Sequence, residues 1–141
     1  MKGKIMDEIV KIAVCGAHMS GLPLNIQLTN LNAKLVSKTT TSENYRLYYL
    51  DSFTPTRPGM IRVKKDGTKI ELEVWELSLS NYGKLVYLIP APLGIGRLEL
   101  IDGSLVQGFL CEGYATESAE DISCYGGWIK FLAHQESVKG H

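Results

Sequence analysis

Residues 10–29 read VKIAVCGAHMSGLPLNIQLT, and this stretch decides the fold. Residues 10–15 are mainly apolar and β-branched, which predicts a strand. Gly16 and Gly21 then bracket a tight loop, because glycine accepts left-handed or closely approached backbone without steric cost. After Pro23, leucines recur at helical spacing, which predicts a short helix with one apolar face. We therefore expect a strand, a loop and a helix in succession.

The loop in this stretch has the form of a binding site. His18 lies in it, and the backbone N–H groups at the start of the following helix, near Leu24, are expected to form an anion cradle. Asn25 and Gln27 add two amide side chains at the same place. The alternative is a packing unit in which His18 is a hydrogen-bonded core residue, and the local pattern alone favours that alternative.

The composition is typical of a single globular domain over residues 1–141. Fifteen basic and fifteen acidic side chains leave no net formal charge, so the charge pattern gives no reason to expect nucleic acid. No apolar run approaches the ~18 residues that cross a bilayer, and the N-terminus lacks the apolar core of a signal peptide. The three cysteines form no C-x-x-C pair, which argues against a disulfide framework or a zinc site. We expect a cytoplasmic protein without metal, nucleic-acid or membrane partners.

Two strands and a stiff loop are predicted after the first helix. Residues 33–41 alternate and end in threonines, as an exposed strand does, and residues 45–51 form a second strand. Two prolines and a glycine at residues 55–59 break a regular ladder, so Arg57 is placed on a stiff loop. An arginine on such a loop suits bidentate binding of a carboxylate, and an ordinary surface arginine is the alternative.

Two Asp-Gly turns predict two hairpins. The first joins residues 60–63 to residues 70–77, and the second lies within residues 97–111. In the second arm of the first hairpin, Glu73 and Trp75 share a face. Because tryptophan seldom stands in water, this face is expected to be partly covered, which makes Glu73 a half-buried carboxylate.

A rigid loop is predicted at residues 89–96, where the sequence reads IPAPLGIG. The segment is rich in proline and glycine and has no polar side chain. It can therefore offer a ligand only an apolar wall and backbone amides, such as those of Gly94 and Gly96.

Two more helices complete the pattern. Ser80 is expected to cap a helix through residue 87, a last helix begins at Trp128 and runs to about His134, and residues 135–141 are expected to fray. Several strands, two hairpins and three short helices together predict an α+β domain with a mixed, strongly curved sheet or small β-barrel.

Two long motifs, GAHMSGLPLN at residues 16–25 and IPAPLGIG at residues 89–96, are distinctive. Shorter motifs stand between and after them: YRLY at 45–48, RPG at 57–59, EVWEL at 73–77, GFLCE at 108–112 and GGW at 126–128. With these motifs in this order, the chain resembles the C-terminal domain of allophanate hydrolase. The resemblance runs from about Ile12 to Leu132.

The resemblance implies the γ-glutamylcyclotransferase-like fold. It also implies a comparison with the cyclotransferases, which carry a tyrosine-glycine turn after the first strand and a catalytic glutamate further on. Here Cys15 takes the place of the tyrosine, and no acidic residue occurs between Glu76 and Glu99. A cyclotransferase reaction is therefore disfavoured.

The resemblance further implies decarboxylation of N-carboxycarbamate, the product of a separate amidase in the breakdown of urea and allophanate. The long Gly/Ser-rich signature of the amidase is absent, so the chain is not expected to be an amidase by itself. His18 would donate a proton, since an unperturbed pKa near ~6.5 suits neutral pH. The predicted binding residues for the small dicarboxylate-like ligand are Gly16, Ala17, Leu24, Asn25, Gln27, Arg57, Gly94 and Gly96.

Three candidate functions are compared at this point. The first is a cofactor-free decarboxylase. The second is a non-catalytic assembly module for an amidase, in which the apolar segment at residues 89–96 makes the contacts. The third candidate, the cyclotransferase, lacks its glutamate. A homodimer is also compatible with a domain of this size.

Overall fold

A five-stranded mixed sheet carries the centre of the domain in the computed structural model, which describes residues 7–139. Its middle strand is antiparallel to one neighbour and parallel to the other, which confirms the first predicted strand as a central one. In spatial order the strands are β2 (Lys34–Thr40), β5 (Glu71–Ser78), β1 (Ile9–Val14), β7 (Leu105–Cys111) and β6 (Leu93–Glu99).

The five-stranded sheet curls until its two edges meet at one end. Thr41 bridges Leu100, and the amide of Ile101 donates to the Thr40 carbonyl at 3.1 Å. This contact joins the end of β2 to the chain that follows β6, as the prediction of a curved sheet or small barrel requires. The core that fills the curl includes Ile12, Val14, Tyr45, Leu72 and Leu98, all at most 2% exposed.

A second, three-stranded sheet corrects the prediction for residues 55–59. It is formed by β3 (Tyr45–Leu50), β4 (Arg57–Arg62) and a short β8 (Glu120–Asp121), with β4 at one edge. Arg57 therefore begins a strand and does not lie on a loop. Pro58 is tolerated because an edge strand can face its missing N–H away from the ladder.

The first predicted hairpin is wrong. β4 pairs with β3, whereas β5 lies in the five-stranded sheet between β1 and β2. The chain does turn at Asp66, with φ at 61°, but Gly67 then passes against the backbone of residues 43–45, where a Cβ would lie 2.6 Å from the Glu43 carbonyl oxygen. This close approach carries the chain from one sheet to the other.

The second hairpin is confirmed, and its first arm begins earlier than predicted. β6 starts at Leu93, so only the first half of residues 89–96 is loop, while Gly94 and Gly96 pair with Leu110 and Gly108 of β7. At Gly96 the Leu110 side chain occupies the space that a Cβ would need, whereas nothing lies within 4 Å of the Cβ position of Gly94.

Three α-helices flank the sheets. The first helix is short. The second is capped by Ser78 and not by the predicted Ser80, because the Ser78 hydroxyl accepts a hydrogen bond from the Asn81 amide. The last continues through the predicted frayed tail as far as Lys139; residues 140 and 141 lie outside the described part. The helices are α1 (Asn25–Thr29), α2 (Leu79–Tyr87) and α3 (Trp128–Lys139), with 3-10 turns at Gly113–Thr116 and Ser123–Tyr125. Within residues 7–139, no helix is long and apolar enough to cross a membrane.

Candidate functional site

The loop between β1 and α1 folds back on itself through backbone hydrogen bonds. The Met19 amide donates to the Gly16 carbonyl at 3.0 Å, and the Leu24 amide donates to the Ala17 carbonyl at 2.9 Å. These bonds turn His18 inward, and it is only 5% exposed. The predicted tight loop is confirmed, and the burial of His18 agrees with the alternative of a hydrogen-bonded core histidine, so its role in a site stays a prediction.

Polar side chains from α1 hold His18 in place. His18 Nε2 lies 2.7 Å from the Gln27 Oε1, and the Asn25 amide group donates to the His18 carbonyl at 2.8 Å. The His18 ring also lies against the Phe109 ring, with 4.8 Å between their centroids. Since Gln27 Oε1 is an acceptor, Nε2 carries the proton in the neutral ring, and Nδ1 is the unprotonated nitrogen. Asn25 and Gln27 thus contact the histidine.

Arg57 lies on the other side of the same cavity. It reaches this position because Gly16 packs directly on Pro58: a Cβ on Gly16 would lie 2.5 Å from the Pro58 Cδ. The Arg57 Nε is buried without a hydrogen-bond partner in residues 7–139, and its guanidinium carbon lies 4.9 Å from the centre of the Phe53 ring. The cavity is lined by Val14, Cys15, Gly16, Ala17, His18, Arg57, Pro58, Leu93 and Phe109.

This cavity is small. Its volume of about 20 Å³ is room for about one water molecule. A ligand with two carboxylates therefore needs a lining group to move, and Arg57 is the long, flexible one among them. A more spacious surface groove is lined by residues from all five strands of this sheet, Lys11 and Arg97 among them, and by none of the predicted site residues.

Burial and charge lower the pKa of His18 below its usual value. Desolvation is the main cause, the hydrogen bond with Gln27 opposes it, and the positive charge of Arg57 lowers the pKa further. The ring is therefore neutral at neutral pH in the unliganded protein. This corrects the expectation of an unperturbed proton donor. Burial also lowers the pKa of Arg57, yet a guanidinium stays charged throughout the physiological range.

The two cysteines near the cavity are not nucleophiles. Burial, with a smaller effect of Cys111, raises the pKa of Cys15 to about 12. Burial raises the pKa of Cys111 to about 11. Because the thiolate is the reactive form, both side chains act as apolar packing groups. The chemistry of the cavity therefore rests on His18 and Arg57.

The structure does not bring every predicted residue to the cavity. The amides of Leu24, Asn25 and Gln27 donate to the carbonyls of residues 17, 22 and 24, so the start of α1 offers no cradle from these three amides. Gly94 and Gly96 are not among the lining residues, although the neighbouring Leu93 is. Substrate contacts of these five residues stay a prediction, whereas Gly16, Ala17, His18 and Arg57 meet at one place.

Two residues beside the cavity had no signal as site residues in the sequence. Phe109 stands in the GFLCE motif, and its ring centroid lies 4.8 Å from that of His18. Phe53 lies in a loop with no regular pattern. Glu73, predicted as half-buried, is 3% exposed and accepts three hydrogen bonds, two of them from Ser20 in the His18 loop.

Comparison with known proteins agrees with the motifs. The profile of the allophanate hydrolase C-terminal domain matches residues 10–133. The chain is 42% identical over 139 residues to the urea amidolyase of Lachancea kluyveri, covering 94% of this chain and 8% of that one. The allophanate hydrolase of Kluyveromyces lactis superposes with a TM-score of 0.85 at 38% identity, over 95% of this chain and 22% of the other.

Two further solved structures with a similar fold come from shorter chains. A uropathogenic E. coli-specific protein superposes with a TM-score of 0.84 at 36% identity, over 90% of this chain and 98% of its own. A γ-glutamyl cyclotransferase, at 12% identity and a TM-score of 0.55, shares the fold alone, over 81% of this chain and 70% of its own. The chain spans about 8% of the length of the curated urea amidolyase that it matches. On the profile match and these identities, the chain belongs to the family of allophanate hydrolase C-terminal domains.

Proposed function

We propose that this domain decarboxylates N-carboxycarbamate formed by a separate amidase. The observation that carries the proposal is the shared cavity: a buried histidine and an arginine with an unsatisfied Nε line one small space. Family membership supports the substrate class, since the relatives are urea amidolyase and allophanate hydrolase. A carboxylate bound at Arg57 would lie within the cavity that His18 also lines.

The reaction needs one proton and one fixed carboxylate. In the dianion of N-carboxycarbamate, the bond between one carboxylate carbon and the nitrogen breaks, and its electron pair stays on nitrogen. Carbon dioxide leaves, and a proton from the His18 imidazolium neutralises the developing charge, which leaves carbamate. Carbamate then takes up a second proton from water on its nitrogen and breaks down to ammonia and a second carbon dioxide. Arg57 holds the carboxylate that is retained, by charge-assisted hydrogen bonds.

The lowered pKa of His18 couples protonation to binding. Arg57 disfavours the imidazolium in the unliganded protein. A dianion beside Arg57 offsets that positive charge, so the pKa of His18 rises and the ring takes up a proton as the ligand binds. The proton is therefore loaded at the moment when the substrate is present. Nothing in this scheme requires a cofactor or a metal ion.

A coupled assay tests the proposal. The purified domain is added to an amidase that generates the short-lived N-carboxycarbamate from allophanate, and release of carbon dioxide and the second ammonia is followed. His18→Asn is expected to lose the acceleration by about 10²- to 10⁴-fold, the range for general acid catalysis. His134→Asn is the matched control, because His134 is exposed on α3. Equal rates for wild type and His18→Asn would contradict the proposal.

An assembly module is the second candidate, and two observations favour it. The cavity is closed to a dicarboxylate in this conformation, and Tyr87 and Leu88, at the end of α2, are 90% and 55% exposed. These side chains lead into residues 89–96 and form an apolar surface for an amidase partner. The test is co-purification of the domain with the amidase. Loss of co-purification in Tyr87→Ser and Leu88→Ser, with no effect of His18→Asn, would support this candidate over the decarboxylase.

A further inference from the structure

Glu73 is a buried carboxylate outside the cavity. It lies on β5, opposite Val14 of β1 and Lys38 of β2, and is 3% exposed. A buried carboxylate is costly unless it is paired or hydrogen-bonded. Within residues 7–139, no cation lies within ion-pair distance of Glu73. Within these residues its carboxyl group is therefore held by hydrogen bonds alone.

All three of those hydrogen bonds end on one oxygen. The Ser20 amide donates to Glu73 Oε1 at 2.8 Å, the Ser20 hydroxyl at 3.1 Å and the Trp75 indole N–H at 3.0 Å. Two of the donors come from a residue 53 positions away in the chain. Bonds to a charged acceptor are shorter and stronger than neutral ones. They tie the His18 loop to the strand at β5.

The position of Ser20 makes this tie relevant to the site. Ser20 is two residues after His18, and the other end of the loop is fixed where Gly16 packs on Pro58. β5 has a paired strand on each side, so it is a rigid anchor. With both ends held, the His18 ring keeps its place between Gln27 and Phe109.

We propose that Glu73 is a positioning residue that holds the His18 ring for proton transfer through its bonds to Ser20. This inference rests on the proposed function for its catalytic consequence. The alternative is that Glu73 only contributes to packing. In that case a substitution at Glu73 would lower the stability of the protein and leave the orientation of the His18 ring unchanged.

The test compares an apolar and an isosteric substitution. Glu73→Met removes the acceptor but keeps an apolar side chain of similar volume, and such replacements of buried charges often leave proteins folded. We expect kcat in the coupled assay to fall by about 10²-fold, as for an active group displaced by about 1 Å, with KM within about threefold. Glu73→Gln keeps an acceptor oxygen and is expected to retain kcat within about fivefold. Glu71→Met is the matched control, because Glu71 lies on the same strand and pairs with Lys130 at 3.0 Å.

A second readout needs no substrate. The ring nitrogens of His18 are followed by ¹⁵N NMR in the unliganded protein. Wild type, Glu73→Gln and Glu71→Met are expected to show one Nε2-protonated tautomer, and Glu73→Met a mixture of tautomers or an exchange-broadened ring. Should no protein accelerate release while Glu73→Met still changes the His18 signals, the decarboxylase proposal fails and the positioning of His18 by Glu73 stands.

The inference is overturned if Glu73→Met keeps the wild-type His18 signals, whatever its stability. Ser20→Ala covers the case in which Glu73→Met does not fold, because it removes only the hydroxyl bond. We expect Ser20→Ala to lower kcat a few-fold and to change the His18 ¹⁵N signals, because the hydroxyl bond from Ser20 to Glu73 is lost. Wild-type kcat together with wild-type His18 signals in Ser20→Ala would also overturn it.

Discussion

The two sides of the cavity differ in how far the protein satisfies their polar groups. On one side, the His18 ring is bonded to Gln27 and its carbonyl accepts from Asn25. On the other side, Arg57 Nε is buried with no hydrogen-bond partner among the described residues, and the guanidinium stacks on Phe53. The His18 side therefore has its polar groups bonded within the protein, whereas the Arg57 side, which binds the charge in the proposed function, is incomplete.

This difference indicates what kind of ligand the cavity takes. A buried donor without a partner costs roughly 1–3 kcal/mol, and a bound acceptor recovers that free energy. An anion at Arg57 would therefore gain more than its direct attraction to the guanidinium. A ligand that reached only the His18 side would gain less, because His18 Nε2 and the His18 carbonyl already have hydrogen-bond partners in the protein. On the proposed function, specificity would come from Arg57 and reactivity from His18.

The largest expected effect comes from separating the two sides. Gly16→Val places side-chain atoms where the Pro58 ring lies, because even a Cβ would be 2.5 Å from Pro58 Cδ. Malonate, a small stable dicarboxylate, is the probe ligand here. We expect loss of detectable malonate binding in calorimetry and a decrease of about 1–3 kcal/mol in the free energy of unfolding in urea. Gly113→Ala is the control, since nothing lies within 4 Å of its Cβ position. Unchanged malonate binding would show that the close contact does not hold the sides together.

Much of the fold could be predicted because its signals are local. The β-branched run of β1, the glycines of the His18 loop and the Asp-Gly turn of the second hairpin each specify backbone geometry over a few residues. The same holds for the alternation in β2. Such patterns do not depend on which strand becomes a neighbour, so the sequence alone predicts them.

The wrong predictions concern features that depend on contacts between residues far apart in the sequence. Pro58 rules out a central strand but permits an edge strand, and nothing near residue 58 shows that β4 is an edge. The turn at Asp66 is real, yet whether it closes a hairpin depends on the place of β5 between β1 and β2. Sheet membership follows from burial of whole faces, which no short window contains.

The candidate site divides in the same way. His18 and Gly16 were found from the loop pattern, and Arg57 from its residue type and its motif. The direction of Gln27 could not be predicted, because a glutamine on a short helix can point to a ligand or to its own loop. The Phe109 ring beside His18 depends on the register of β7 against β1.

The next largest effect tests the incomplete side directly. Arg57→Ala is expected to weaken malonate binding by at least about 1.5 kcal/mol, roughly tenfold or more, because a charge-assisted bond is lost. Arg57→Lys keeps the charge without the planar fork and should recover only part of the affinity. Arg62→Ala is the control on the same strand, with a side chain 50% exposed. Equal malonate affinity for Arg57→Ala and wild type would remove Arg57 from the site.

A smaller effect links the two sides through pH. The pKa of His18 is lowered in the free protein, and an anion at Arg57 raises it, so binding takes up a proton between the two values. Sulfate affinity should therefore increase as pH falls below the pKa that His18 has in the sulfate-bound protein, by at most about tenfold per pH unit, and level off below the free-state pKa. In His18→Asn the affinity should stay flat. A flat profile in wild type would mean that the two sides are not coupled.

A fall in pH is expected to lower the free energy of unfolding of the free protein, although it raises the affinity for sulfate. Because the folded pKa of His18 is lower than the unfolded one, the unliganded fold is favoured above about pH 6.5 and loses that contribution as pH falls through the folded value. Urea unfolding of wild type against His18→Asn measures this contribution. Sulfate should reduce the loss at low pH in wild type only, since the bound anion raises the pKa of His18.

The smallest expected effect concerns Phe53, which covers the incomplete side. Because the cavity has room for about one water molecule, Arg57 has to leave its present position before a dicarboxylate enters. The stack on Phe53 opposes that movement and is worth about 0.5–1 kcal/mol at an exposed site. Phe53→Leu should therefore bind malonate about two- to fivefold more tightly, while Phe53→Tyr, which keeps an aromatic face, should match wild type. Weaker binding by Phe53→Leu would mean instead that the ring holds Arg57 in the pose that receives the ligand, and the charge-binding side would then be built in advance like the His18 side.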